Sequence, residues 1–358
     1  MPNKSSIEWT DYTSNPIYAI NIATGKRGHH CVHKNPLCEK CYAESINLRW
    51  GTGLRFIAQN SDKVSFVLSV KELDALSKLD VRLLKRGERA KVFMFDMTDI
   101  GLPDIPRHFV FEVLDRIATV CALTVQLLTK RPDEVLSIVK EYCAARGDMP
   151  PEKFKEIFAH VHMGASVGTQ RTADEDIPKL IKLNPYFDVL WLSIEPLLEA
   201  VDLGRAHPCG YYCDRVVDDN SGFVFSHHDH DFITPLINTR IKWIVCGGES
   251  GSGARPCDIN NIRSIVEQCR AAQVPCFVKQ LGAKPFETRP AEGQPQGVEY
   301  ALANLNKTHP QQGWFTDWTL VHNGGSSAWY RYMKPSDRKG GAMEEWPEDL
   351  RIRQFPLS

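Results

Sequence analysis

The residues of this sequence that are best suited to chemistry are three cysteines near its start. They are Cys31, Cys38 and Cys41, spaced Cys-x6-Cys-x2-Cys. Three thiolates on one loop suit either a zinc ion or an iron–sulfur cluster, because both favour soft sulfur ligands. A zinc ion would need a fourth ligand, and the candidates beside Cys31 are His29, His30 and His33. A [4Fe–4S] cluster held by three cysteines would keep one iron open for a substrate or cofactor. We favour the cluster, because the loop follows a predicted strand at the face where barrel enzymes place their active sites.

Polar side chains follow most of the other predicted strands. Glu195 comes directly after an apolar strand, and a carboxylate at such a position is costly to leave without a partner or ligand. Lys130 and Lys279 also follow strands, and Ser166 ends another. We predict that Glu195, Lys130 and Lys279 are catalytic and that Ser166 binds a cofactor.

A glycine-rich loop follows the seventh predicted strand, at residues 247–253. Its backbone amides could approach a phosphate or a carboxylate closely, although a flexible turn would use the same residue types. Arg255 lies just beyond the loop, and its planar guanidinium suits either anion. The residues predicted here to bind a cofactor are Gly247, Gly248, Glu249, Ser250 and Arg255.

Two further segments carry candidate ligands. Residues 204–239 contain a Cys-x3-Cys pair followed by histidines, which indicates either an additional zinc ion or a solvated polar loop. The zinc ligands proposed there are Cys209, Cys213, His227, His228 and His230. The tail from 313 to 346 interleaves tryptophans with basic residues, a pattern that can bind nucleic acid and that also covers the outside of barrels.

The elements that must position these residues are eight short apolar runs, repeated about every 30 residues and separated by amphipathic segments. This pattern predicts an α/β fold, a (β/α)8 TIM-like barrel, with a six-stranded partial barrel or an open doubly wound sheet as alternatives. The predicted strands cover 16–20, 64–68, 92–95, 124–128, 161–164, 189–192, 241–245 and 275–278. The predicted helices include 107–120, 133–145, 174–183 and 259–272. We expect the barrel to span 1–282, with an insertion at 204–239 after the sixth strand, and an irregular extension over 283–358 to pack on it.

The composition limits the classes of function. The 358 residues include 43 Lys and Arg against 44 Asp and Glu, which excludes a protein that binds nucleic acid through bulk basicity alone. No apolar run approaches the roughly 20 residues that span a membrane, and the start shows no secretory signal peptide. We therefore expect a cytoplasmic protein without membrane contact, whose 11 cysteines are not a disulfide framework.

Several blocks of the sequence resemble a phage and prophage family of unknown function, often called a three-Cys-motif family. The matching blocks lie at residues 6–11, 31–44, 128–132, 192–197, 247–256 and 277–282. The three cysteines after the first strand of a βα barrel also resemble those of radical S-adenosylmethionine enzymes. The usual spacing in that superfamily is Cys-x3-Cys-x2-Cys, so the first interval here is three residues longer.

The resemblance implies a [4Fe–4S] cluster that chelates S-adenosylmethionine and cleaves it reductively. The electron for this cleavage would come from a flavodoxin- or ferredoxin-type protein. The resemblance also suggests an enzyme that modifies or repairs a nucleic acid. In radical enzymes a Gly-Gly-Glu stretch commonly follows the second strand, whereas Gly247-Gly248-Glu249 follows the seventh, so its role is not transferred directly. The alternatives are a metal-stabilised phage protein that binds nucleic acid or protein without catalysis, and a zinc-dependent hydrolase.

Overall fold

The computed structural model of the protein describes residues 2–204, 240–251, 253–290, 318–323 and 326–356. Contacts divide the chain into two compact units. Unit 1 comprises Met1–Ser166, Glu175–Ser193 and Arg240–Lys242, and unit 2 comprises Val167–Asp174, Ile194–Thr239 and Trp243–Ser358. The cysteines and histidines of the predicted zinc site in the insertion lie outside the described residues, so that site stays a prediction.

The described residues form strands and helices along most of their length. The strands are β1 (Asn3–Lys4), β2 (Tyr12–Ser14), β3 (Ile17–Asn21), β4 (Arg27–Gly28), β5 (Val64–Leu68), β6 (Ala90–Met94), β7 (Leu123–Thr129), β8 (Val161–Ser166), β9 (Val189–Ile194), β10 (Ile241–Gly247), β11 (Cys257–Asp258), β12 (Cys276–Gln280), β13 (Pro285–Pro290), β14 (Thr319–Asn323) and β15 (Ser326–Tyr332). The α-helices are α1 (Tyr42–Trp50), α2 (Val70–Arg86), α3 (Arg107–Ile117), α4 (Pro132–Ala145), α5 (Pro151–Ile157), α6 (Gln170–Ile181) and α7 (Ile259–Ala271).

Unit 1 is built on a sheet whose strands alternate with helices along the chain. The order is β1-β2-β6-β7-β8-β9, in which β1 pairs antiparallel with β2 and each later neighbour is parallel. Most residues of β6 to β9 are buried, as expected for parallel strands that are covered on both faces. The structure confirms the predicted α/β class with a large parallel sheet.

The first two predicted strands do not belong to this sheet. They are β3 and β5, which pair antiparallel and form a separate three-stranded sheet with β4. Side chains of β3 alternate between buried and half-buried positions, which is the pattern of a strand covered on one face. The strand beside β6 is instead β2, a Tyr-Thr-Ser segment without an apolar run. The nearby Trp9 supplies apolar packing, with its ring centroid 4.9 Å from Phe93 and 5.3 Å from Trp191.

Unit 2 contains a parallel pair, β10 and β12, connected through α7, and a four-stranded sheet in the order β11-β13-β15-β14. Three strands of that sheet come after residue 282, where the sequence predicts irregular structure, so that prediction is wrong for the described residues. The reason is a period of two in β15: Ala328 and Tyr330 are buried with Phe286, whereas Trp329 and Arg331 are half-buried.

Four of the predicted helices are present as α3, α4, α6 and α7, with ends that differ by up to four residues. The start of α4 at Pro132 follows from the fixed φ of proline and the two acidic residues after it, which favour a first helical turn. Among the described residues, no helix is both long and apolar enough to cross a membrane.

Candidate metal centre and polar clusters at the strand ends

The three cysteines lie in the loop between β4 and α1, and hydrogen bonds fold its second half into tight turns. The Asn35 side chain accepts a hydrogen bond from the N–H of Leu37 at 3.1 Å and caps a short 3₁₀ turn over Pro36–Cys38. The backbone N–H of Cys41 donates to the carbonyl of Cys38 at 3.2 Å, and Cys41 is the residue that caps the start of α1. The turns therefore hold the second and third cysteines beside each other.

Charge interactions connect the three thiols, all of which are free. Burial raises the pKa of the Cys31 thiol to about 11, and the charges of Asp99 and Cys38 add smaller upward effects. Burial also raises the pKa of Cys41, and Cys38 again adds to the rise. Cys38 thus lies close enough to influence both of the other cysteines.

The thiols do not meet at one point. Across the described ranges, no three His, Cys, Asp or Glu side chains are placed so that they could hold a metal ion together. A zinc site needs such convergence, because its ligands lie about 2.0–2.3 Å from one ion. Two of the predicted zinc histidines have other neighbours, since His30 Nε2 lies 3.3 Å from Ser61 Oγ and His33 Nε2 lies 3.5 Å from Glu44 Oε1. A cluster would bind each cysteine on a different iron, and three thiols on one loop are a donor set suited to it, so the cluster stays a prediction.

A buried ion pair connects this loop to the end of β7. Arg131 Nη1 lies 3.4 Å from Asp99 Oδ2, and the two side chains are only 8% and 9% exposed. The Arg131 guanidinium also donates to the carbonyl of Val32, the residue after the first cysteine. Asp99 in turn accepts hydrogen bonds from the Thr129 hydroxyl at 2.6 Å and from the Lys130 N–H at 2.8 Å. The pair therefore connects the cysteine loop to the end of β7 and to the segment that follows β6.

The two cations that follow β7 lie beside the thiols. Although burial has the largest effect on both thiols, Arg131 lowers the pKa of Cys31 and Lys130 lowers the pKa of Cys41. The structure thus places the predicted catalytic Lys130 next to the cysteine loop. Arg131 and Asp99 are not among the predicted site residues, because the sequence does not show that they pair or that Arg131 contacts Val32.

Asp96, which was not among the predicted site residues, joins the same region of unit 1. It follows β6, and its carboxylate accepts a hydrogen bond from Asn15 Nδ2 at 2.5 Å. Burial raises the pKa of this carboxyl group. The Tyr42 hydroxyl donates to the Asp96 carbonyl at 2.6 Å, which ties the first residue of α1 to the end of β6. The predicted Ser166 ends β8 and is 2% exposed.

In unit 2, the structure brings together Glu195 and Lys279, two of the predicted catalytic residues. Lys279 Nζ lies 3.3 Å from Glu195 Oε1 and 3.5 Å from Oε2, and both side chains are mostly buried. Gly247 lies against this ion pair. A Cβ atom at Gly247 would lie 3.2 Å from Glu195 Oε1 and 2.6 Å from the Gln280 carbonyl, so only glycine fits there without a shift.

Glu249 and Arg255, both predicted to bind a cofactor, bind each other. Arg255 donates from its backbone N–H at 2.8 Å and from Nε at 3.0 Å to Glu249 Oε2, and from Nη2 at 2.7 Å to Oε1. Gly248 packs against the backbone of Leu281, and Ser250 is exposed. The pair stabilises the conformation of the glycine-rich loop, and a role for its residues in binding a cofactor stays a prediction.

Residues 4–312 match a family described as "Protein of unknown function (DUF5131)". The chain belongs to this family. The sequence blocks therefore correctly indicated a family of unknown function, whereas its links to phages and to radical enzymes stay predictions. No curated protein matches this DUF5131 chain.

Among solved structures, this DUF5131 protein is weakly similar to spore photoproduct lyase. A complex of that enzyme with dinucleoside spore photoproduct has 11% identity and a TM-score of 0.36, covering 75% of this chain and 63% of the lyase. A point mutant of the lyase has 12% identity and a TM-score of 0.32, covering 55% of this chain and 48% of the lyase. The chain thus spans about half the length of that mutant, and TM-scores this low support no assignment of activity.

The tail aromatics of the DUF5131 protein are engaged in contacts within unit 2. Tyr330 is 1% exposed and packs on Phe286. The Arg289 guanidinium lies 4.3 Å from the Trp318 ring centroid and 5.7 Å from that of Trp329. These contacts pack side chains on the β11-β13-β15-β14 sheet. Trp314 lies outside the described residues.

Proposed function

We propose that this DUF5131 protein is a radical S-adenosylmethionine enzyme whose [4Fe–4S] cluster is held by Cys31, Cys38 and Cys41. The observation that carries the proposal is that one loop holds three free thiols, of which Cys38 lies close enough to raise the pKa of both Cys31 and Cys41. Three cysteines leave one iron of the cluster without a protein ligand. When bound, the cluster would supply the electron that cleaves S-adenosylmethionine reductively.

The residues around the loop suit this role. Each thiol must lose its proton to bind iron, and the positive charges of Lys130 and Arg131 favour the deprotonated form. Burial of Cys31 opposes its deprotonation, so these positive charges offset part of that effect. The ion pair of Arg131 with Asp99 is buried, so it holds its geometry better than an exposed pair would.

In unit 2, we propose that Glu195 and Lys279 move a proton during the reaction. The two groups are ion-paired and mostly buried, so a polar ligand that separates them would meet a strong donor and a strong acceptor. We further propose that the glycine-rich loop with Glu249 and Arg255, together with Ser166, binds the cofactor. Glu249 and Arg255 would then exchange contacts with each other for contacts with the ligand.

The proposal extends to fold and partners. We propose that the parallel strands form a barrel or partial barrel, that a flavodoxin- or ferredoxin-type protein donates the electron, and that the substrate is a nucleic acid. The chain has a formal net charge of −1, so binding to nucleic acid must depend on local groups rather than on overall charge.

The test is anaerobic purification followed by iron, sulfide and zinc analysis, and by incubation of the reduced protein with S-adenosylmethionine. We expect a brown protein that slowly releases 5′-deoxyadenosine and methionine in equal amounts. Cys31→Ala, Cys38→Ala and Cys41→Ala should each lose the iron and the cleavage. Cys121→Ala is the matched control, because Cys121 is a free, exposed cysteine outside the motif.

Two results would contradict the proposal. A colourless protein with one zinc per chain, lost in the three cysteine variants, would replace the cluster with a zinc site. A fully loaded and reduced cluster that neither binds nor cleaves S-adenosylmethionine would remove the radical mechanism and leave the metal centre in place.

A further inference from the structure

Helix α1, which begins directly after Cys41, carries an exposed apolar stripe. Tyr42, Ile46 and Trp50 are spaced four residues apart and so lie on one face of the helix. They are 52%, 46% and 74% exposed, respectively. A helix normally turns its apolar face to the core, so large apolar side chains this exposed along one stripe indicate a binding surface.

A cavity of about 460 Å³ borders the stripe, within the range of about 300–1,000 Å³ that is usual for ligand pockets. Ile46 and Trp50 contribute apolar side chains to its lining, and the rest of the lining is mostly polar. The polar lining includes Asn15, Arg27, His29 and Asp96. His29 Nδ1 is buried and has no hydrogen-bond partner among the described residues, which leaves it available to a ligand.

Arginines lie beside two aromatic rings of this region, the exposed Trp50 and the half-buried Tyr18. The Arg49 guanidinium is 4.8 Å from the Trp50 ring centroid, and the Arg27 guanidinium is 3.6 Å from that of Tyr18. The segment between β3 and β5, residues 22–63, contains seven Lys and Arg but only three Asp and Glu, one of which is the buried Glu44. This part of a chain with a formal net charge of −1 is therefore suited to an anion.

An exposed aromatic ring with Arg49 beside it, at a cavity that Arg27 and other polar residues also line, matches the chemistry of a nucleotide. A base has a flat π surface for Trp50, and its edge offers hydrogen-bonding groups to Asp96 and His29. Phosphates on either side would meet Arg27 and Arg49. Stacking on an aromatic side chain requires an unpaired base, because paired bases in a duplex already stack on their neighbours.

We infer that the stripe and its cavity bind one unpaired nucleotide of a single-stranded nucleic acid. The inference deepens the proposed function by naming a single-stranded nucleic acid as the form of the substrate. It rests on the proposed function for the reaction that the bound strand undergoes. The binding itself requires neither cluster nor cofactor, so it can be measured separately.

The test is fluorescence anisotropy of a short labelled oligothymidylate with the full chain. We expect Trp50→Ala to weaken binding about tenfold, which corresponds to about 1.4 kcal/mol within the range for one stacked base. Trp50→Phe, which keeps a ring, should retain most of the affinity. Arg27→Ala should weaken binding and reduce its dependence on salt, because one phosphate contact is lost. Leu84→Ala is the matched control, since Leu84 is 51% exposed on α2 and outside the stripe.

Four results would overturn the inference. Trp50→Ala and Arg27→Ala could both bind like the unaltered protein, or duplex DNA could bind as tightly as the single strand. S-adenosylmethionine alone could displace the oligonucleotide, which would assign the cavity to the cofactor. Trp50→Ala could change self-association in size-exclusion chromatography without affecting the oligonucleotide, which would assign the stripe to a second copy of the chain.

The cysteine variants separate this inference from the proposed function. Cys31→Ala should bind the oligonucleotide like the unaltered protein although it lacks the cluster. If it does, while cleavage of S-adenosylmethionine fails in every preparation, the binding site stands and the radical mechanism falls. If the loaded protein cleaves the cofactor but no preparation binds the oligonucleotide, the inference falls and the proposed function stands.

Discussion

Arg131 donates a hydrogen bond from its guanidinium to the backbone carbonyl of Val32, a contact between the end of β7 and the residue after the first cysteine. The same guanidinium pairs with Asp99, so three segments distant in sequence meet at one buried cation. The position of the cysteine loop thus depends on a residue that binds no metal.

We predict that Arg131→Ala destabilises the protein by about 3–5 kcal/mol, the usual cost of leaving one partner of a buried ion pair alone. It should also lower the iron content after reconstitution, because the loop loses its anchor at Val32. Urea unfolding and iron analysis measure the two effects. The control is Arg146→Ala, which removes an exposed pair with Asp115 and should cost about 0–1 kcal/mol. Equal losses of stability and of iron in the two variants would show that Arg131 does not position the cysteine loop.

A second prediction concerns acid sensitivity and His162, which lies in β8 opposite Gln126 of β7. Burial, with a smaller effect of His160, lowers the pKa of His162 to about 4. Since the unfolded side chain titrates near 6.5, the unfolded state binds an extra proton between these values. The stability that His162 contributes is therefore present above pH 6.5 and is lost as the pH falls towards 4, with a slope of up to about 1.4 kcal/mol per pH unit.

The measurement for His162 is the free energy of unfolding at pH 7 and pH 5. We expect His162→Gln to lose less stability over this interval than the unaltered protein does. His108→Gln is the control for removing an imidazole, because His108 is exposed at the start of α3. A steeper loss in His162→Gln would show that the imidazole is charged in the folded protein.

The pair of Glu195 and Lys279 gives a third prediction. Lys279→Met should destabilise unit 2 more than Glu195→Gln, because the first change leaves the more buried charge, the Glu195 carboxylate, without its cation. The second leaves the Lys279 ammonium, which is less buried and has a flexible chain that can reach water. The double variant should recover part of the loss. A double-mutant cycle of unfolding free energies measures the coupling. Additive single effects would mean that the two groups do not interact.

A fourth prediction separates packing from ligand binding at Gly247. Gly247→Ala should destabilise the protein by about 1–3 kcal/mol, because the new methyl group would meet the Gln280 carbonyl at 2.6 Å. Gly253→Ala is the control, since no described atom lies within 4 Å of the methyl group it would add. Thermal unfolding distinguishes the two. If both variants unfold like the unaltered protein, the fold accommodates a methyl group at Gly247 and the predicted packing constraint is wrong.

Some features followed from the sequence alone because they depend on neighbouring residues. The repeated apolar runs and amphipathic segments give the α/β class, and Pro132 with its acidic neighbours gives the start of α4. The spacing of Cys31, Cys38 and Cys41 identifies the candidate metal ligands, because a short loop can bring together only residues that are close along the chain.

Tertiary structure decided the rest. The short polar strand β2 takes the place beside β6 because Trp9 and the neighbouring strand support it, and neither influence is visible in the Tyr-Thr-Ser sequence. Glu249 and Arg255 lie close in sequence, yet only the fold shows that they bind each other. Asp99, Arg131 and Val32 come from three separate segments. A buried charge pairs with whichever group the fold brings near it. The distance in space between the two groups cannot be read from the order of residues along the chain.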